Sequence, residues 1–120
     1  MSEVDLGREA ESLAEALLGR AGLIVLGRRV RNAAGELDLV AREGATLVFV
    51  EVKGRGRTDY GRAEEMVDGR KQARLAAAAE VYLSRLPQPP PPCRFDVVAV
   101  EMAGGRPRLR HIRDAFRPGE

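Results

Sequence analysis

A chain of 120 residues with 44% hydrophobic and 32% charged side chains can bury a core without disulfides or a structural metal, the balance expected of one globular domain over residues 1–120. No apolar run is long enough to span a bilayer as a helix and no signal-peptide pattern follows Met1, so the expected location is cytoplasmic, with no membrane partner. A net charge of +2 does not by itself name a nucleic-acid partner, and the single cysteine excludes an internal disulfide and a Cys-rich zinc site.

In chain order, residues 5–21 place Leu6, Ala10, Leu13, Leu17 and Ala21 at helical spacing, which predicts an amphipathic helix stopped near Gly22. LIVLGRRVR (23–31) reads as a strand with a basic second half, and NAAG as a turn. LDLVA and TLVFVEVK follow as two further strands, joined by REGA in a hairpin with Glu43 and Gly44 at its centre. Asp68 is a good N-cap for a helix over about 69–86, with Leu75, Ala79, Tyr82 and Leu86 on one stripe. PQPPPP (87–92) is a stiff connector, beside which Cys93 reads as a small buried residue. RFDVVAVE is a strong strand, GGRP a turn, and RLRHIRDAF a last strand or short element. This order predicts an α/β fold, a mixed sheet with helices on its faces.

Asp38, Glu51 and Lys53 interrupt the apolar character of the hairpin. A buried ion costs several kcal/mol unless it is paired or binds a metal, so their presence calls for a reason. Glu51 and Lys53 share a strand face with Leu47 and Phe49. With Glu43 and Gly44 as the loop, Arg42 pairs with Ala45 and Asp38 falls opposite Phe49, diagonal to Glu51 at roughly 7–8 Å. Two carboxylates with a lysine suit a hard cation, Mg²⁺ or Mn²⁺, whose other positions go to water and substrate phosphate. The alternative is a surface ion pair at a strand end.

The pieces GREAESLAEALL, GELDLVAREGATLVFVEVKGR, YGRAEEMVDGRKQARL, RFDVVAV and HIRDAF, in this order, resemble the YraN-like family of small bacterial predicted nucleases over nearly the whole chain. That family is in turn similar to the restriction-endonuclease-like fold, the PD-(D/E)xK superfamily, and above all to its archaeal Holliday-junction resolvases. The resemblance implies a restriction-endonuclease-like mixed central sheet flanked by helices, with Asp38 and Glu51 as metal carboxylates and Lys53 as the catalytic lysine. It places a helix-one acid at Glu11, which periodicity alone reads equally as a solvated glutamate. Leu37 stands where the superfamily name puts proline, Ala10 where the family puts glycine, and Arg29 where it puts asparagine.

Eighteen arginines against two lysines suit phosphate recognition, although codon bias produces the same excess. GRGRTDYG after Lys53 would carry Arg55 and Arg57 to a phosphate backbone, and Lys71, Gln72 and Arg74 on the second helix would line the same groove. His111 has no histidine or cysteine partner, which argues against zinc. The expected function is a Mg²⁺-dependent endonuclease on DNA, recognised by its branched or otherwise structured shape and not by sequence. The rival is a non-catalytic nucleic-acid-binding module that keeps the nuclease fold. Paired cutting of a junction would need a homodimer, for which Leu109, Ile112 and Phe116 are candidate contact residues if they do not simply close the core.

Overall fold

The computed structural model describes residues 3–55 and 67–118. Helix α1 (Glu3–Arg20) leads into three antiparallel strands, β1 (Ile24–Asn32), β2 (Gly35–Glu43) and β3 (Thr46–Arg55); α2 (Gly69–Ser84), β4 (Cys93–Ala103) and β5 (Arg106–Phe116) follow. The sheet order is the chain order, β1-β2-β3-β4-β5, and only the β3–β4 pair is parallel. A parallel neighbour needs a crossover connection, and α2 is part of that connection. The result is an α/β mixed sheet with two helices, compatible with the restriction-endonuclease-like architecture.

Each helix covers one face because the central strands are apolar on both sides. Ala10, Ala14 and Leu18 of α1 bury against Leu39, Ala41, Val48, Val50, Val98 and Val100. Leu75, Ala78 and Ala79 of α2 bury against Leu37, Val40, Leu47, Phe49, Val97 and Ala99. Small residues on both helices let their backbones lie close to the sheet. Asp68 caps α2, its carboxylate accepting from the Lys71 amide at 2.9 Å. Asp68→Ala is expected to cost about 1 kcal/mol, read as a lowered urea midpoint with an unchanged slope.

The hairpin register differs from the sequence expectation by two positions. Glu43 pairs with Thr46, Arg42 with Leu47 and Leu39 with Val50, so Gly44 and Ala45 form the loop. Gly44 has φ +58°, the left-handed conformation that glycine adopts without strain, and it opens the loop instead of closing it. A two-residue shift preserves the faces but sets Asp38 level with Glu51, no longer with Phe49.

One other expectation is corrected, and one open alternative is decided. Cys93 is exposed at the start of β4. The apolar residues of β5 do not form an outer patch: Leu109 packs on the α1 side, and Ile112 and Phe116 pack on the α2 side. Among the described residues no helix is long and apolar enough to cross a membrane.

Candidate functional site

The β2–β3 ladder ends at Leu39–Val50, one position short of the two acids. Leu37 belongs to the α2-side core and Leu39 to the α1-side core although only Asp38 separates them, so the pleat of β2 breaks at Asp38. The Asp38 carboxylate takes up the loose end of the ladder by accepting the Val52 amide at 2.9 Å. Glu51, one residue before Val52, is buried to 5% exposure.

Two ammonium groups converge on one oxygen of Glu51. Lys53 Nζ lies 3.6 Å and Lys71 Nζ 3.3 Å from Oε1, while Oε2 is buried with no hydrogen-bond partner. Lys71 sits in the first turn of α2, where the helix dipole disfavours a cation, and that turn holds no acidic residue. Glu51 compensates by facing it across the gap between helix and sheet.

Burial, first, and then the charge of Glu51 push the Asp38 carboxyl up to about 7; hydrogen bonding with Glu51 adds to this, and the Val52 amide and Lys71 only partly oppose it. Two acids that cannot both ionise comfortably, with one oxygen left unpartnered, form a donor set to which a hard cation is chemically suited. Among the described residues no group of three His, Cys, Asp or Glu gathers as a fuller metal cage. Two carboxylates with water completing the shell are the usual Mg²⁺ arrangement.

Of the sequence candidates, Asp38, Glu51, Lys53 and Lys71 come together. Lys71 contacts the carboxylate centre itself and not merely a groove beside it. Glu11 is engaged elsewhere, by Arg29 Nε at 3.0 Å. Arg29 has φ +47°, a conformation that β1 adopts locally and that arginine takes at a cost. Gln72 donates its side-chain amide to the Val67 carbonyl at 2.9 Å, bracing the start of α2. Arg74 is exposed on the same helix. Arg55 closes β3, but its side chain, like all of Arg57, lies outside the described residues.

A second polar centre was not anticipated. Asp96 on β4 is fully buried, and its carboxylate accepts from Arg94 Nε at 2.9 Å and Nη2 at 3.2 Å and from the Asp114 amide at 2.9 Å; it lies 2.8 Å from His111 Nε2. Arg94 also reaches Glu43 at 2.8 Å, and Arg113 donates to the same oxygen of Glu43. The sequence signal was Arg94-x-Asp96, two ions on one strand face, but their partners on β5 lie 15 and 18 residues away. Asp96 pairs in register with Val50, whose side chain faces α1, so this centre lies on the other face of the sheet from Glu51.

Fold and site thus define an α/β domain with a paired-carboxylate, paired-lysine centre at the end of its parallel strand pair. The chain belongs to the Uncharacterised protein family UPF0102, whose model matches residues 10–100. It is 48% identical over 112 residues to a UPF0102 protein of Symbiobacterium thermophilum, covering 92% of this chain and 95% of that one. A UPF0102 protein of Pseudomonas aeruginosa is 47% identical over 118 residues (96% and 94%), and one of Frankia alni 46% over 112 residues (92% and 93%).

Proposed function

We propose that this protein is a divalent-metal-dependent endonuclease acting on DNA, of the YraN-like, PD-(D/E)xK type that its motifs resemble. The observation that carries the reading is Glu51: a carboxylate 5% exposed, facing a second acid across the hairpin, with one oxygen unpartnered and two lysines on the other. A surface ion pair needs none of this burial.

Asp38 and Glu51 would hold Mg²⁺ or Mn²⁺, which when bound supplies polarisation of the phosphodiester and a lowered pKa for the attacking water. Lys53, fixed on β3, orients that water or neutralises charge building on the phosphate. Lys71 holds the same Glu51 oxygen from α2. Arg74, with Arg55 and Arg57, would contact the phosphate backbone without reading bases. Glu11 has a smaller part, because Arg29 already holds it. The test is cleavage of four-way, flapped and linear DNA with Mg²⁺ or Mn²⁺: metal-dependent cutting supports the reading, and tight DNA binding with no cutting favours the non-catalytic module. If four-way DNA is cut in pairs, light scattering should find a homodimer on it.

The Asp38 proton makes the cation site pH dependent. With its carboxyl raised to about 7 in the fold, against 3.8 ordinarily, the folded protein keeps a proton that the unfolded chain releases. In ion-free protein this group's contribution to stability is therefore full below an unfolded value of about 4 and is lost as pH rises through about 7. Cation binding runs the other way, because the proton must leave first. The rise in melting temperature given by Mg²⁺ is thus expected to be small near about pH 5.5, to grow, and to level off above about pH 7.5. Equal shifts at both ends of that range would remove Asp38 as a ligand.

A further inference from the structure

The register of the sheet carries the candidate site sideways onto β5. Lys53 pairs with Ala99, and Ala99 with Arg110; Arg55 pairs with Glu101, and Glu101 with Arg108; Ala103 pairs with Arg106. Both ladders are regular over these positions, so Arg106, Arg108 and Arg110 stand on the face that carries Glu51 and Lys53. All three arginines are exposed. Farther along β5 the same face turns apolar, where Ile112 and Phe116 pack into the α2-side core. The cationic stretch begins where that apolar packing ends, at the end of the sheet nearest Lys53.

Alternate residues on a strand are about 6.8 Å apart, and two strand spacings put the Arg110 backbone roughly 10 Å from that of Lys53. A row of guanidinium groups at this interval fits successive phosphates of one nucleic-acid strand, each by two parallel hydrogen bonds. Among the described residues of β4 and β5 on this part of the face, Glu101 is the acid, one against three. Protection of an exposed edge strand accounts for charge on β5 but not for three arginines in the row that leads to the carboxylates.

We propose that Arg106, Arg108 and Arg110 form a phosphate-binding lane that holds a duplex DNA arm beside the cut site, an inference that rests on the nuclease reading for its substrate. Ala99 is a small residue between Lys53 and Arg110, so among the described residues of the sheet nothing bulky separates lane from site at that level.

The test uses fluorescently labelled duplex DNA in EDTA, so that binding is read without cleavage. Arg106→Gln with Arg108→Gln is compared with Arg20→Gln with Arg42→Gln, which removes the same charge elsewhere; Arg42 pairs with Leu47, at the other end of β3 from Lys53. Arg110 has an interaction within the molecule and is left intact. The lane variant is expected to melt like wild type, to bind about tenfold or more weakly at moderate salt, and to flatten the slope of log affinity against log salt by about 1.5–2, roughly 0.9 per lost phosphate contact. The control is expected to change both much less. Unchanged affinity and slope in the lane variant, or equal losses in both, overturn the lane, as does wild-type protein that binds no DNA. The nuclease reading fails separately, through absence of cleavage and ion binding in wild-type protein; a lane variant that loses DNA affinity in that case still supports the lane.

Discussion

Replacing Glu51 by glutamine is expected to abolish metal-dependent DNA cleavage, by about 1,000-fold or more, while leaving the protein folded. The size follows from losing several kcal/mol of metal-derived stabilisation, at 1.36 kcal/mol for each tenfold. Folding should survive because the changes offset. Lys53 and Lys71 lose their shared partner, but their side chains are 25% and 34% exposed and can turn to water. Asp38, in turn, loses the neighbouring negative charge that helps hold its proton on, so its carboxyl moves back toward the ordinary range. The variant's melting temperature without metal should stay close to wild type, and Mg²⁺ should no longer raise it. Asp38→Asn should behave alike. Full metal-dependent cleavage by Glu51→Gln would dismiss the carboxylate centre as the source of activity, and loss of cleavage through unfolding would show as an altered circular dichroism spectrum.

The sheet and both helices were legible because their signals are local. Alternating or continuous apolar runs mark the strands, Asp68 marks the start of α2, and helical spacing marks the face of α2; on α1 the expected stripe through Leu13, Leu17 and Ala21 is displaced, since the buried line is Ala10, Ala14 and Leu18 and Ala21 is exposed. Glu51 and Lys53 were legible for the same reason, since an i, i+2 pair must share a strand face. The hairpin register was not, because sequence alone did not say that Gly44 opens the loop. The error was harmless to the site only because it was an even number of residues. Lys71 was singled out for phosphate, but its contact with Glu51 depends on where the connection after β3 delivers α2, a tertiary fact without a local signature. Glu11 depended likewise on Arg29, whose departure from the family pattern hinted at an altered neighbourhood. Asp96 was overlooked because a lone acid in a strong strand carries no mark of partners that arrive from β5.

That overlooked acid yields the largest expected change in stability. Asp96 is 0% exposed, ringed by Arg94, His111 and the Asp114 amide, and through Arg94 tied to Glu43 at the β2–β3 turn. Burial alone would push its carboxyl up, but the bonds from His111, Arg94 and Asp114 outweigh it and hold the group below the ordinary carboxylate range. Asp96→Ala leaves a guanidinium, an imidazole and an amide without their acceptor in a closed site, a loss of about 3–5 kcal/mol, or roughly 10–20 °C in melting temperature. Asp96→Asn, which keeps the shape and one acceptor, should lose less. Because the depressed carboxyl favours folding above its unfolded value, its contribution should be lost as pH falls below about 4, and Asp96→Asn should flatten that part of the acid unfolding curve. The effect of Mg²⁺ on melting should persist in Asp96→Asn, since this centre and Glu51 lie on opposite faces of the sheet. An Asp96→Ala protein as stable as wild type would show that water replaces the carboxylate at little cost.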